Sequence, residues 1–277
     1  MPATRLVLQQ TLRYDYPSPV NHLQHHLMVL PPARHGDQLR IASSLEVTGA
    51  TAEVTESVDA FGNIAMAVGA ASVQAKVEFA VRVTVDRQGT PPTTVDEGDS
   101  RRLLDLTALT EPDGALAAAA RQLLDSGDAG WALADRINAW VAATMLYRHD
   151  VTSVSTTAAE ALAVGQGVCQ DYAHVMLTLC RLCRLPARYV SGHLVGEGGS
   201  HAWVEVVLPS GDPSSSVAIA FDPTNDRRAG ATYLTIAVGR DYADVAPTYG
   251  TYSGPPGGGR LSSSKTLEHH GVALVPA

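Results

Sequence analysis

Three residues of reactive type follow one another in the second half of the chain, namely Cys169, His201 and Asp222. Cys169 comes just after two glycines, where apolar residues begin to recur at three- and four-residue steps and predict a helix over 168–185. A thiol at a helix N-terminus lies at the positive end of the helix dipole, which lowers its pKa and favours the thiolate. The residue types therefore indicate nucleophilic attack by sulfur, provided that the fold supplies a base.

Two predicted strands supply the partner groups. His201 opens a strand over 202–208, and Asp222 closes one over 217–221. On adjacent antiparallel strands the start of one lies beside the end of the other, so the imidazole and the carboxylate can meet. The thiol is then the nucleophile and the imidazole its base and later acid. The carboxylate holds the tautomer, and first-turn N–H groups of the helix bind the oxyanion. Spacing alone does not distinguish this triad from three unrelated residues.

The elements that must position these groups fall into two domains. Residues 1–90 contain short alternating apolar runs separated by turn signals, which is typical of an all-β, sandwich-like domain. Residues 91–100, rich in proline, threonine, glycine and acidic residues, are the predicted linker. From 101 to 277 helical periods come first and strand periods follow, so the fold class is α+β, with helices packed on an antiparallel sheet.

Within the second domain the pattern predicts individual elements. The predicted helices cover residues 112–124, 131–147, 157–164 and 168–185, and the predicted strands cover 187–194, 202–208 and 217–221. The tail from residue 248 carries little structural signal, apart from a short strand expected within 271–277. The catalytic candidates thus lie where a helix and two strands begin or end.

Composition limits the function. The chain has 277 residues, is 45% apolar and carries a formal net charge of −8. With no long basic run, neither nucleic acid nor an anionic membrane surface is an expected partner. No run of 18 apolar residues occurs, and the N-terminal residues lack the apolar region of a signal peptide. Three cysteines fit a reducing compartment better than a disulfide framework, so we expect a cytoplasmic protein.

Two clusters raise the question of a metal. On a strand, His25 and His26 point to opposite faces, and His22 lies roughly 13 Å from His26, so solvated histidines are the favoured interpretation. Cys180 and Cys183 lie inside a predicted helix, with Cys180 on its apolar face, which favours a core role over zinc binding or redox chemistry. We expect neither a metal nor an organic cofactor.

Five motifs, in this order, resemble the bacterial transglutaminase-like cysteine protease family: GVCQDYAH, ARYVSGH, SHAWVEV, FDPTN and GRDYADVAPTYG. The β-rich front half resembles the N-terminal domain of the same bacterial proteins, so the resemblance covers nearly the whole chain. It implies a papain-like core and acyl transfer through a thioester. Hydrolysis of peptide or isopeptide amide bonds is favoured over transfer to an amine.

The resemblance also implies roles for single residues. Matched to the family site are Cys169 as nucleophile, Gln170 and Asp171 after it, His201 as base, Trp203 beside the base and Asp222 as third triad member. Tyr147 and Gln166 are further candidates for lining the acyl pocket or assisting the oxyanion. Two stretches depart from the family pattern. Segment 211–216 lacks an expected Gly-Trp pair, so the pocket wall near the carboxylate is expected to differ, and the tail after Gly254 is less family-like.

Three functions remain open at this stage. The first is a hydrolase acting on a peptide or protein substrate. The second is a protein-glutamine amine transferase, which would need a groove that admits an amine ahead of water. The third is a catalytically silent scaffold whose front domain binds a protein, although a scaffold has no need for all three triad groups. The sequence does not determine the substrate or the oligomeric state.

Overall fold

The computed structural model describes residues 3–88, 93–210, 215–255 and 257–272. The helices are α1 (Glu97–Arg102), α2 (Gly114–Leu124), α3 (Gly130–Thr144), α4 (Ala158–Val164) and α5 (Cys169–Leu182). The strands up to the predicted linker are β1 (Ala3–Asp15), β2 (Val20–Leu30), β3 (Arg34–His35), β4 (Gln38–Thr48), β5 (Ala52–Val58), β6 (Ile64–Val73) and β7 (Lys76–Arg87). The later strands are β8 (Thr93–Asp96), β9 (Leu146–Tyr147), β10 (Gln166–Gly167), β11 (Ala187–Leu194), β12 (His201–Pro209), β13 (Ser215–Asp222), β14 (Arg227–Arg228), β15 (Tyr233–Gly239), β16 (Thr248–Ser253) and β17 (Arg260–Val272).

The front of the molecule is a β-sandwich, as the alternating pattern predicts. One sheet has the strand order β17-β1-β7-β4-β3 and the other the order β16-β2-β6-β5. Along β7 every second residue from Val77 to Val85 is buried, which is the period of two of a strand with one covered face. These side chains share one apolar core with Leu6 and Leu8 of β1 and Leu23 of β2.

The second half is the expected α+β unit. Its main sheet has the order β14-β13-β12-β11-β15, and α5 lies on β11 and β12 with α2, α3 and α4 around it. The four predicted helices are present as α2 to α5. Each is shorter than predicted at one end or at both, and α3 also begins one residue earlier than predicted. The last of them stops at Leu182, since Arg184 adopts a left-handed backbone with φ of 61°. No helix in the described ranges is long and apolar enough to span a bilayer.

The tail differs from the expectation of little structure. β17 pairs with β1 along its whole length, from Ala3↔Val272 to Asp15↔Arg260, and β16 pairs with β2. β16 and β17 are therefore strands of the two front sheets, although they lie within the 101–277 range. β17 is an edge strand with mostly exposed side chains, so it has no apolar alternation to detect. Residues 273–277 lie outside the described part.

Two other expectations need correction. Part of the predicted linker is strand β8, which pairs with β13, while residues 89–92 lie outside the described ranges. His25 is not solvated: it points into the sandwich, its ring centroid 4.4 Å from that of Tyr14 and 5.2 Å from that of Phe79. Burial lowers the pKa of His25 to about 4, so this histidine is a neutral core residue.

Polar side chains of the sandwich hold the edge strand of the second sheet. Gln38 donates to the carbonyl of Thr235 at 2.8 Å and accepts from its N–H at 2.9 Å. Asn63 does the same with Val238, at 2.7 and 2.8 Å. Each amide therefore satisfies the backbone of β15 as a neighbouring strand would, and fixes the two halves against each other.

A buried ion cluster also joins the two halves. The carboxylate of Glu205 on β12 lies 2.7 Å from Nε2 of His35, which belongs to the front half, and 2.8 Å from Nε of Arg188 on β11. Burial alone would raise the pKa of Glu205, but the charges and hydrogen bonds of His35 and Arg188 outweigh it and hold the pKa well below its ordinary value. The carboxylate is therefore ionised inside the protein.

Candidate active site

Cys169 is the first residue of α5, and its side chain is partly exposed. The turn before it is held by Asp171, whose Oδ2 accepts from the N–H of Val168 and from the hydroxyl of Thr152, each at 2.7 Å. A Cβ on Gly167 would lie 2.5 Å from the same oxygen, so only glycine fits there. Burial raises the pKa of Asp171. The sequence thus folds into a rigid helix entry that presents the thiol.

The base lies where the strand register places it. β12 and β13 pair with Val204 opposite Phe221, which sets the start of one beside the end of the other. Nε2 of His201 lies 2.8 Å from Oδ2 of Asp222, and both side chains are buried. Cys169 is a second side-chain hydrogen-bond partner of His201, and Glu197 lies 3.3 Å from its Nδ1. The structure therefore places Cys169, His201 and Asp222 next to one another.

Asp222 has a full set of donors. Besides the imidazole, its Oδ2 accepts from the hydroxyl of Tyr233 at 2.6 Å and from Nδ2 of Asn225 at 2.7 Å. Its Oδ1 accepts backbone N–H groups of Thr224 at 3.0 Å and of Asn225 at 3.2 Å. Burial raises the pKa of Asp222, but these bonds and the charge of His201 outweigh it, so the pKa lies below its ordinary value. The carboxylate is an ionised, fixed acceptor.

The charge of His201 follows from these neighbours. Burial lowers its pKa, but the hydrogen bonds and charges of Asp222 and Cys169 outweigh this and raise the pKa of His201 to about 10. Trp203 stacks beside the imidazole, with ring centroids 6.1 Å apart and 26° between the planes. This is the position the resemblance implied for the tryptophan. The site therefore favours an imidazolium shielded from water on one side.

The weaker candidates take different places. Gln170 donates to the carbonyl of Val154 at 3.1 Å and so holds a neighbouring loop. Gln166 accepts from Arg148 at 3.2 Å. Tyr147 is half exposed; burial raises its pKa, and the charge of Cys169 adds to this.

Three residues of the site were not predicted. Asn225 has a local signal, since D-P-T-N is a turn in which an aspartate accepts from residues two and three positions later. Tyr233 has none, because it reaches Asp222 from β15 across the sheet. Glu197, in the loop before β12, lies 3.3 Å from Nδ1 of His201 and is an acidic residue in a glycine-rich loop. Of segment 211–216, which was expected to alter the pocket wall, residues 211–214 lie outside the described part.

Two family models match the chain. Residues 117–215 match the model of the transglutaminase-like superfamily, and residues 6–86 match that of the bacterial transglutaminase-like N-terminal region. A solved structure from Cytophaga hutchinsonii, named as a candidate cysteine protease, superposes with a TM-score of 0.79 at 22% identity, covering 100% of this chain and 93% of that one. At this identity the likeness establishes the fold.

Curated relatives match a shorter stretch. An uncharacterized protein of Mycobacterium leprae is 39% identical over 125 residues, which is 42% of this chain and 42% of that protein. One of Mycobacterium tuberculosis is 37% identical over 115 residues, or 38% of this chain and 36% of that protein. The aligned stretch thus spans less than half the length of the curated relatives it matches.

The two family matches define the class: residues 117–215 form a core of the transglutaminase-like superfamily. Within it, the chain is of the bacterial type, in which the core is combined with the bacterial transglutaminase-like N-terminal region.

Proposed function

We propose that the protein hydrolyses peptide or isopeptide amide bonds, with Cys169 as nucleophile, His201 as base and acid, and Asp222 as the group that orients the imidazole. One observation carries the proposal. The 2.8 Å bond between Nε2 of the histidine and the aspartate leaves Nδ1 for a thiol at a helix N-terminus. A cysteine in that setting is an activated nucleophile.

The proposed reaction has two halves. The thiolate of Cys169 attacks the amide carbonyl carbon, and first-turn N–H groups of α5 bind the oxyanion. The C–N bond then breaks, its electron pair stays on nitrogen, and Nδ1–H of His201 gives that nitrogen its proton, which leaves a thioester. Nδ1 next takes a proton from water, the hydroxide attacks the thioester, and the thiolate departs with the imidazolium restored. Asp222 stabilises each imidazolium and keeps the ring in one orientation.

The substrate and setting are part of the proposal. The acidic charge balance and the absence of a long basic run in the sequence support a peptide or protein substrate over nucleic acid or an anionic membrane. The low cysteine count supports a cytoplasmic site of action. The chemistry of a thiol and an imidazole requires neither metal nor organic cofactor.

The test is a peptide-library digestion followed by mass spectrometry, with the wild type and Cys169→Ala compared. Cleavage products and an acyl adduct on the protein are expected from the wild type alone, with the variant folded. The matched control is Cys183→Ala, which removes a thiol outside the site and should keep activity. Full activity in Cys169→Ala would overturn the proposal. An amide product formed only with an added alkyl amine would instead identify an amine transferase.

A further inference from the structure

A second carboxylate lies on the catalytic imidazole. Oε2 of Glu197 is 3.3 Å from Nδ1 of His201, the ring nitrogen that must exchange a proton with Cys169. The glutamate side chain is 38% exposed, whereas the histidine side chain is 1% exposed. The carboxylate therefore stands at the open side of the site, where a leaving amine would also have to approach Nδ1.

The loop that carries this carboxylate is held at both ends. The N–H of Glu197 donates to the carbonyl of Leu194 at 3.2 Å, which closes a turn after β11. Near the other end, Nζ of Lys265 donates to the carbonyl of Gly199. Lys265 lies on β17, so the front sandwich helps to fix the loop of the second domain. The glutamate is thereby kept facing the imidazole.

We propose that Glu197 is a positioning residue for His201, holding Nδ1–H of the imidazolium beside Cys169 until a leaving amine takes its place. The inference rests on the proposed function for its catalytic meaning. An imidazolium has two N–H donors, and each then has a carboxylate acceptor: Asp222 on Nε2 and Glu197 on Nδ1. The ring is therefore charged and oriented whether or not a thiolate is present.

Other titratable groups lie near His201 and near Glu197. Around the imidazole lie Asp222 from β13, Cys169 from α5 and His193 from β11. Around the Glu197 carboxylate lie Tyr147 from β9 and Lys265 from β17. Burial lowers the pKa of His193 to about 3, so this residue is neutral. The ammonium of Lys265 offsets part of the Glu197 charge.

The proton balance is simple. When the amide C–N bond breaks, Nδ1–H transfers its proton to the amine nitrogen, and His201 becomes neutral. Glu197 neither gains nor loses a proton; it loses its donor and turns to solvent or to the departing amine. When water enters, Nδ1 regains a proton from it and Glu197 recovers its donor. The glutamate thus acts through the histidine and forms no bond to the substrate carbonyl.

The first experiment needs no substrate. The titration of His201 is followed by NMR with labelled histidine in Cys169→Ala, where no thiolate contributes, and in Cys169→Ala combined with Glu197→Gln. The resonance is assigned by its loss in His201→Ala. We expect the midpoint to fall by about one pH unit on Glu197→Gln, because a nearby opposite charge is removed. The control is Cys169→Ala with Glu268→Gln, a carboxylate that is 62% exposed on β17 and should leave the midpoint unchanged.

An identical midpoint with and without the Glu197 carboxylate would overturn the inference. A second readout uses the pH profile of turnover: Glu197→Gln should move the limb that reports His201, and Glu197→Asp should move it less. A change in melting temperature without either shift would mean a purely structural role and would also overturn it. An unreactive Cys169 together with the expected NMR shift would contradict the proposed function while the contact itself stood.

Discussion

His201 presents Nε2, not Nδ1, to Asp222, at 2.8 Å. In the proposed reaction this choice of nitrogen leaves Nδ1 to exchange protons with the thiol and the leaving amine. The carboxylate in turn is held by Tyr233 and by the turn that contains Asn225, so it cannot follow the ring if the ring rotates. In the proposed reaction, a strand end and a turn therefore determine which nitrogen transfers the proton.

Asp222→Asn should lower kcat/KM by roughly 100-fold while the fold is kept. The amide has no charge to stabilise the imidazolium, and its NH₂ group can donate to Nε2, which stabilises the wrong tautomer. The pKa of His201 should fall with it, because the charge of Asp222 is one cause of its raised value. Kinetics over a pH series check both effects.

The matched control for this change is Asp226→Asn. Asp226 accepts from Asn138 at 2.9 Å and does not contact the imidazole. It should retain activity close to that of the wild type. Equal losses of activity in the two variants would mean that Asp222→Asn acts by disturbing the turn and not by changing the charge beside His201.

Gly167→Ala should weaken both folding and turnover. The added Cβ would lie 2.5 Å from Oδ2 of Asp171. The carboxylate must then move away and lose the hydrogen bond that it accepts from the N–H of Val168. Forcing a methyl group into such a contact costs roughly 1–3 kcal/mol, and the entry to α5 shifts with it. Thermal unfolding and the rate of Cys169 alkylation are the measurements. Gly114→Ala, where a Cβ meets nothing within 4 Å, should change neither, and an inert Gly167→Ala would contradict this account of the turn.

Because of Glu205, the free energy of unfolding should fall as the pH is lowered into the acid range. Its pKa is lowered in the folded protein, so its ionised form contributes stability above the ordinary pKa of 4.5, and this is lost as the pH falls below that value. Glu205→Gln should therefore be less stable than the wild type at pH 7, since His35 and Arg188 lose their shared anion, and the difference should narrow towards pH 3. Melting curves over pH 3–7 test this; a constant difference would show that the charge is not responsible.

Sequence reasoning found what is local. A pair of glycines before a helical period located Cys169 at the start of α5, and strand ends located His201 and Asp222 side by side. It did not find β15, a strand that is buried along its whole length. Tyr233 was therefore missed with it.

The other missed features share a cause. β17 is an exposed edge whose side chains carry no apolar signal, and its place beside β1 is set by a partner more than 240 residues away in the chain. Glu197 lies in a glycine-rich loop whose conformation depends on a hydrogen bond from Lys265 of that same strand. Such contacts come from the assembled sheets, so no single stretch of sequence encodes them.

The most direct measurement of the central claim is the rate of Cys169 alkylation by iodoacetamide across pH, in the wild type and in His201→Ala. Cys180 and Cys183 are buried, so the partly exposed Cys169 is the thiol that reacts in the folded protein. An ordinary thiol loses reactivity below about pH 8.5. A thiolate–imidazolium pair predicts fast reaction that persists to about pH 5–6 in the wild type and is lost in the variant. Slow reaction with the ordinary thiol profile in both proteins would contradict an assembled triad.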